Sequence, residues 1–280
     1  MKKIEFKSEY FNAKDTLDCG QIFRYKPING GFLVFSGDKA CFLKTDGEYT
    51  FIECEDEEYF KNFFDLNTSY AKINSKAQSF PYEIVKASAK RAKGVRILNQ
   101  LKEETLFSFI ISQNNRIPRI KDIIERTCKA LGKKLKFGEH EYYSFPTAHD
   151  LAQKDEQFFK DLGYGYRAKY MVSVSKAIVD KQISLEEINS LSTLDLKKAL
   201  THLTGVGPKV ADCISLFAYH RVDSFPVDTW IEKLYREDFG GNLTDRNKIT
   251  EWFLNEFGEY SGYVQQYVFY YKRSLEKYEN

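Results

Sequence analysis

The stretch that decides the fold runs from Thr201 to Trp230 and reads THLTGVGPKVADCISLFAYHRVDSFPVDTW. Its pattern predicts a helix that closes at Leu203, a glycine turn over Gly205–Pro208 and a second helix that ends near Tyr219. Glycine accepts the positive φ of a tight turn, and proline suits the first position of a helix because that position needs no N–H. A third helix is expected to begin just after Asp228. The stretch therefore predicts two helices joined by a hairpin over residues 201–219, with a third helix behind them.

The glycine turn leads into a helix N-terminus, where backbone N–H groups lack intrahelical partners and attract an anion. Gly205, Gly207 and Val210 are the expected contacts to a phosphate at this hairpin. From the turn alone, an ordinary joint between two helices is an equal alternative. Lys209 lies in the first helical turn, where the positive end of the helix dipole disfavours a cation. This unfavourable placement indicates that Lys209 has a role beyond helix formation.

The order L-x-G-V-G-x-K-V-A-D-C, followed by Val227-Asp228, closely resembles the helix-hairpin-helix DNA glycosylase superfamily and, within it, the 8-oxoguanine DNA glycosylases. The resemblance implies that Lys209 is the nucleophile and Asp228 its catalytic partner. It implies a bifunctional DNA N-glycosylase and AP lyase that removes 8-oxoguanine opposite cytosine from duplex DNA. The same chemistry on another damaged base stays open, as does a hairpin module that binds DNA without catalysis.

The chemistry fits these two residue types. An amine can attack the sugar carbon C1′ and form an imine, which then permits strand cleavage by β-elimination. The amine must be neutral to attack, and the positive field at the helix N-terminus favours loss of the proton from Lys209. Asp228 precedes a helix, so an N-cap role is expected beside stabilisation of positive charge on the sugar.

Base recognition needs a few polar groups and stacking surfaces. Gln265 and Phe269 are four residues apart in a helical pattern and therefore share one face. By resemblance, Gln265 reads the extruded base, Phe269 stacks on it, and Cys213 contacts its other side. A core position is the alternative for Phe269 and Cys213, and for Cys213 taken alone it is the better one.

The segment Asp18-Cys19-Gly20-Gln21-Ile22-Phe23-Arg24 resembles a G-Q-x-F-R segment of the same family. In that family a glycine carbonyl accepts the N7 hydrogen that 8-oxoguanine has and guanine lacks. The resemblance assigns this role to Gly20 and places Phe23 in the same base-binding region.

The run Ser112–Arg119 lies between two predicted helices and resembles the Asn-rich segment that fills the gap left by an extruded base. The resemblance assigns that role to Asn114 and the reading of the opposite cytosine to Arg119. It assigns the duplex wedge to Tyr166 and Arg167. Trp230 stands where the family often carries a phosphate-binding His, which puts that contact in doubt.

The rest of the chain predicts an α+β protein. Its 280 residues, 42% of them hydrophobic, are enough for a substantial core. Four strands are expected at Ile4–Phe11, Gly31–Phe35, Ala40–Lys44 and Tyr49–Glu53, and the pattern is helical from about Ser79 onward. We therefore expect a small N-terminal antiparallel β domain over residues 1–80, packed on a larger all-helical glycosylase domain over residues 81–280.

Charge and cysteine usage limit the partners. Residues 83–136 contain 14 Lys and Arg but five Asp and Glu, whereas the whole chain has a net charge of +2. One surface facing a polyanion, here double-stranded DNA with oxidised guanine, fits this asymmetry, and solvated helix faces are the alternative. Five scattered cysteines and the absence of a signal-like or membrane-length apolar run predict a cytoplasmic protein with reduced thiols, nucleoid-associated if prokaryotic. We also expect the protein to be a monomer.

The cysteine positions also bear on metals and cofactors. Related glycosylases of the endonuclease III type hold an iron–sulfur cluster with four cysteines after the hairpin, and no cysteine follows Cys213 here. No C-x-x-C or paired Cys/His spacing indicates zinc. The resemblance allows an ion bound by hairpin carbonyls, and no metal site is certain and no cofactor is implied.

Overall fold

The computed structural model describes residues 1–279, and their side chains through Leu275. The strands of its N-terminal part are β1 (Lys2–Lys7), β2 (Tyr25–Ile28), β3 (Gly31–Ser36), β4 (Lys39–Asp46) and β5 (Tyr49–Cys54). They form one antiparallel sheet in the order β1-β5-β4-β3-β2. Asn29 and Gly30 connect β2 to β3 with φ angles of 41° and 75°, the backbone that an Asn-Gly hairpin turn requires. The predicted sheet and this turn are confirmed.

Two features of the N-terminal part differ from the expectation. β1 ends at Lys7 rather than at Phe11, and the chain then forms the short helix α1 (Ala13–Asp18). The side chain of Asn12 caps this helix by accepting the N–H of Asp15 at 2.9 Å. Six residues are too few to give a helical periodicity, and β2 contains Pro27, which weakens its strand pattern. The sequence therefore predicted neither the helix α1 nor the strand β2.

The remaining chain is mostly helical. The first helices are α2 (Glu57–Phe63), α3 (Tyr70–Ser79), α4 (Glu83–Arg91), α5 (Lys102–Ser112), α6 (Ile117–Leu131), α7 (Ala148–Ala152) and α8 (Glu156–Asp161). They are followed by α9 (Ala168–Val179), α10 (Thr193–Thr201), α11 (Pro208–Ala218), α12 (Thr229–Asp238), α13 (Arg246–Phe257) and α14 (Ser261–Glu279). Among the helices described within residues 1–279, none has the length and apolar character to cross a membrane.

A two-stranded hairpin, β6 (Lys134–Phe137) and β7 (His140–Tyr143), interrupts the helices. The expectation of helix throughout from Ser79 is therefore wrong at this point. Phe137 and Tyr142 are buried against the N-terminal sheet, and the Tyr142 ring stacks on Phe35 with centroids 5.0 Å apart. Packing on a distant strand decides the structure of this segment, which a local helical pattern cannot show.

The two larger of the three hydrophobic cores in the described residues lie on either side of the junction between sheet and helices. The smaller core lies beneath the sheet and includes Phe60, Phe63 and Phe64 of the α2 region. The larger core fills the helical part and already includes Tyr70 and Ile73 of α3. By packing, α3 therefore joins the helical part, although the sequence places the domain boundary near residue 80.

A buried ion pair joins the sheet to the helical part. The guanidinium of Arg24, just before β2, lies 3.1 Å from the Glu104 carboxylate on α5 and donates to the carbonyls of Gly37 and Tyr143. The same carboxylate accepts the N–H of Gly37 at 2.6 Å. Both charges are buried, so each depends on the other for compensation.

We expect the substitution Glu104→Gln to lower the free energy of unfolding by about 3 kcal/mol, because it leaves the Arg24 charge buried without a counter-ion. Urea denaturation measures this loss. The matched control is Lys44→Gln, which breaks the exposed pair with Asp46 and should cost less than about 1 kcal/mol. Equal losses for the two variants would contradict a structural role for the buried pair.

Candidate active site

The hairpin has the predicted form. Gly205 has a φ of 85°, and a Cβ atom there would lie 2.4 Å from the ring of Tyr170, so the turn excludes a side chain on both counts. Gly207 is the N-cap of α11, whose first residue is Pro208. Because glycine offers no capping side chain, the first N–H groups of α11 remain available to an outside acceptor.

The turn directs Lys209 into a cleft with a volume of about 1340 Å³. The lining comes from six parts of the chain: residues 112–118, Tyr166, residues 207–212 of the hairpin region, residues 227–232, residues 244–250, and side chains of α14. Lys209 and Asp228 both line this cleft, together with Asn114, Tyr166 and Phe269. The structure therefore brings the two predicted catalytic residues to one cavity.

Lys209 is partly buried, and its Nζ lies 5.7 Å from the centroid of the Phe109 ring. Burial lowers the pKa of its ammonium group, but the Cys213 sulfur and the carboxylates of Asp228 and Asp212 raise that pKa by more. The resulting pKa lies above the ordinary value, so the amine is charged in the protein alone. The expectation that the helix N-terminus favours a neutral amine is therefore not met in this state.

Asp228 is the N-cap of α12, as predicted. Its Oδ1 accepts the N–H groups of Trp230 and Ile231, each at 3.0 Å. These two bonds fix the carboxylate on the wall of the cleft. The capping role thus orients a negative charge toward the cavity that Lys209 also lines.

The predicted base-binding residues are only partly brought to the cavity. Phe269 lines the cleft, and its Cε1 lies 3.3 Å from the position that a Cβ would take on Gly20. Cys213 and Gln265 are buried, and Gln265 accepts the amide N–H of Gln266 at 2.7 Å. Burial raises the pKa of the Cys213 thiol to about 11, so it is uncharged at neutral pH. In the protein alone, Gln265 therefore does not face the cavity.

Phe23 is placed as a supporting residue. It is buried in the helical core, and its ring meets Phe109 edge to face at 5.7 Å between centroids. Phe109 in turn lies beneath the Lys209 amine. Phe23 therefore packs against the aromatic ring on which the Lys209 amine lies.

The Asn-rich loop is held by an internal network. Asn114 is exposed, lines the cleft and has a φ of 45°. Arg167 is buried and donates to the carbonyls of Gln113 and Asn114. The Tyr166 ring, half of which is exposed, lies 4.4 Å from the Arg167 guanidinium carbon. Thus Tyr166 and Asn114 line the cleft, while Arg167 stabilises the loop behind them through hydrogen bonds to its carbonyls.

Arg119 lies outside the lining of the cleft. It is exposed on α6 and donates to the carbonyl of Gly163 at 3.2 Å. A guanidinium has five N–H donors, so most of its hydrogen-bonding capacity remains for an outside acceptor.

The lining also includes residues that were given no site role from the sequence, among them Asp212, Trp230 and Arg273. Asp212 is buried and pairs with Lys197 at 2.5 Å, and burial raises its pKa to about 6. The aromatic side chain of Trp230 is 39% exposed, which suits stacking better than a charged contact to phosphate. Arg273 lies four residues after Phe269, so extending the Gln265–Phe269 spacing by one turn would have found it.

Within the described part of the chain, no group of three or more His, Cys, Asp or Glu side chains is placed to hold a metal ion.

The fold and the cleft correspond to a known class of repair protein. Residues 107–259, more than half of the chain, match the model of HhH-GPD superfamily base excision DNA repair proteins. Residues 3–106 match the N-terminal domain of 8-oxoguanine DNA glycosylase. The chain belongs to the 8-oxoguanine DNA glycosylase family.

Individual relatives agree with this assignment. The chain is 34% identical over 195 residues to N-glycosylase/DNA lyase OGG1 of Arabidopsis thaliana, covering 65% of this chain and 53% of that protein. It is 30% identical over 231 residues to a probable N-glycosylase/DNA lyase of Methanothermobacter thermautotrophicus, covering 75% of this chain and 71% of that protein. The chain thus spans about half the length of the Arabidopsis relative.

A solved structure covers the whole fold. The Clostridium acetobutylicum 8-oxoguanine glycosylase/lyase, in complex with double-stranded DNA containing cytosine opposite 8-oxoguanine, superimposes with a TM-score of 0.91. The two chains are 36% identical, and the match covers 99% of each.

We expect Asp212→Asn to lower the pKa of the Lys209 amine, because the substitution removes one of the carboxylates that raise it. NMR titration of isotopically labelled lysine measures this pKa without DNA. Asp195→Asn, which removes an exposed carboxylate paired with Lys198, is the control and should leave Lys209 unchanged. A Lys209 pKa that is equal in wild type and Asp212→Asn would contradict the electrostatic account.

Proposed function

We propose that this protein is a bifunctional DNA glycosylase and AP lyase that removes 8-oxoguanine opposite cytosine from duplex DNA, acting as a monomer. The observation that carries the proposal is the meeting of Lys209 and Asp228 in one open cleft, with Phe269 on its wall and Asn114 and Tyr166 also lining it. A non-catalytic DNA-binding module needs neither an amine nor a carboxylate at such a cavity. The matches over residues 3–106 and 107–259 support the same reaction class.

The cleft suits a nucleotide swung out of the duplex. The sugar carbon C1′ cannot be reached inside a stacked helix, so the lesion must leave the stack. Asn114 is exposed in the loop between α5 and α6, and half of the Tyr166 ring is exposed, so both are placed to enter the gap left behind. The N–H groups at the start of α11 are positioned to bind phosphate beside the entering nucleotide.

The proposed base pocket is bordered by Phe269 and by Gly20, which contact each other in the protein alone. The base stacks on the Phe269 ring, and the carbonyl of Gly20 accepts the N7 hydrogen that only the oxidised base carries. Guanine would instead bring a lone pair against that carbonyl, which leaves buried polar atoms unsatisfied and is costly. Gln265 must exchange its bond with Gln266 for one to the base edge. Cys213 contacts the opposite face of the base.

The chemistry requires a change in the charge of Lys209. Its ammonium has no lone pair, so a proton must leave before the nitrogen can attack C1′. Entry of the nucleotide excludes water and increases the desolvation that already lowers the pKa of this amine. Asp228 then faces the positive charge that develops on the sugar. The resulting imine permits β-elimination of the 3′ phosphate.

We assign recognition of the orphaned cytosine to Arg119. Its side chain is exposed and has N–H donors beyond the one bound to Gly163. Arg167 contributes indirectly in the protein alone, because its guanidinium holds the carbonyls of Gln113 and Asn114. If Arg167 also contacts the cytosine, it must give up part of this network. The reading of the opposite base therefore depends on the loop as well as on the arginines.

We expect Lys209→Gln to abolish covalent trapping by borohydride on a duplex with 8-oxoguanine opposite cytosine, and to lower excision at least about a thousandfold. The control is Lys198→Gln, which removes an exposed lysine on α10 and should trap like the wild type. Trapping of the wild type only on other lesions would favour a different damaged base. Tight binding without any trapping would favour a non-catalytic DNA-binding protein.

We expect Arg119→Ala to reduce the preference for cytosine opposite the lesion by about tenfold, since a good base-edge contact contributes about 1–3 kcal/mol of discrimination. Single-turnover excision with each of the four opposing bases measures the preference. Arg126→Ala, which removes an arginine paired with Asp122 on the same helix, is the matched control. The same ratio of rates in Arg119→Ala and wild type would argue against this assignment.

A further inference from the structure

The face of α14 that carries Gln265 and Phe269 continues to a third side chain, Arg273. Arg273 lines the same cleft as Lys209 and Asp228. Its guanidinium carbon lies 5.6 Å from the centroid of the Phe269 ring, within the range of a cation–π contact. A permanent positive charge is therefore held directly beside the proposed stacking surface for the base.

Gly20 also lies close to the Arg273 guanidinium. The Nη1 atom of Arg273 lies 3.0 Å from the position that a Cβ would take on Gly20, and Gly20 has a φ of 91°. A side chain at position 20 would be strained and would collide with the arginine. Gly20, Phe269 and Arg273 therefore form one continuous surface at the proposed base pocket.

The charge of Arg273 lowers the pKa values of two groups near Gly20, Cys19 and Tyr25. Burial raises the pKa of the Cys19 thiol to about 12, and the Arg273 charge opposes this rise. Burial likewise raises the pKa of Tyr25, again against the effect of Arg273. The guanidinium thus produces a positive field across the segment that is proposed to contact the base.

The proposed reaction needs such a field. When the Lys209 nitrogen forms its bond to C1′, the bond from C1′ to the base nitrogen N9 breaks, and both electrons remain on the base. At that moment the base carries a negative charge and the attacking nitrogen carries a positive charge. Asp228 faces the sugar and Lys209, so it cannot stabilise the negative charge on the base. A donor or cation on the base side is required to lower this part of the barrier.

We infer that Arg273 stabilises the negative charge that develops on the departing base. The inference rests on the proposed excision reaction and adds a residue to it. After the C1′–N9 bond breaks, a proton passes from the attached Lys209 nitrogen to the base, so the base leaves neutral and the sugar stays bound to an uncharged amine. The guanidinium acts through its positive charge and takes no part in this proton transfer.

Three variants at this position separate charge from shape. Arg273→Met and Arg273→Gln remove the charge, whereas Arg273→Lys keeps it. Lys272→Met is the control: it removes a cation from the neighbouring position on α14, where Lys272 pairs with Asp238 at 2.8 Å. Each protein is tested for single-turnover excision from an 8-oxoguanine:cytosine duplex, for affinity to that duplex, and for cleavage of a preformed abasic site.

For Arg273→Met and Arg273→Gln, we expect excision to fall about a hundredfold, as for loss of one preorganised charge-stabilising group. Duplex affinity should change little, and cleavage of the abasic site should be retained because no base departs in that reaction. Arg273→Lys should recover part of the excision rate, and Lys272→Met should behave like the wild type.

Equal excision in Arg273→Met and wild type would overturn the inference. So would equal losses in Arg273→Lys and Arg273→Met, which would indicate shape rather than charge, or a matching loss of abasic-site cleavage, which would indicate a structural defect. A wild-type protein that leaves 8-oxoguanine in place would overturn the proposed function, and this inference with it. The two failures are thus distinguished by the wild-type reaction.

Discussion

The electrostatic balance around Lys209 is the constraint on which the site depends. The hairpin places the amine at the positive end of α11, yet the Cys213 sulfur, Asp228 and Asp212 keep its pKa above the ordinary value. Asp212 is itself buried and is compensated by Lys197, so the local charges form a chain of alternating sign. Such an arrangement holds the side chain in place but keeps the amine unreactive until its surroundings change. Entry of a nucleotide into the cleft is the event that can make that change.

Helix α14 connects this charged centre to the β-rich part of the chain. One of its faces presents Phe269 and Arg273 to the cleft and meets Gly20, which follows the short helix α1. On another side, the Tyr270 hydroxyl donates to Asp15 of α1 at 2.5 Å. The Arg24–Glu104 pair fixes the segment that follows Gly20 onto α5. The sheet therefore contributes to the site by holding one glycine against a helix that begins more than 200 residues later.

The sequence was sufficient to predict a structural feature where a local pattern has a direct physical cause. The Gly205–Pro208 turn, the N-cap at Asp228 and the Asn29-Gly30 hairpin each follow from the conformational preferences of those residues. It was insufficient where distant packing decides the outcome. The β6–β7 hairpin forms because Phe137 and Tyr142 are buried on the sheet, and Arg167 faces inward because it binds the carbonyls of residues 113 and 114. No spacing along the chain encodes these contacts.

The protein alone is not yet arranged for the reaction proposed for it. Lys209 is charged, Gln265 is bonded to Gln266, and Arg167 is engaged by the Asn-rich loop. Each of these side chains already has a partner within the protein, so a base that uses it must displace an existing contact. In the proposed reaction, a normal base offers no contact that compensates for breaking them, whereas an oxidised base brings a hydrogen for the Gly20 carbonyl. Discrimination between 8-oxoguanine and guanine then depends partly on the interactions that the free protein must break. Stronger interactions in the free protein would increase this discrimination but would lower the rate of excision.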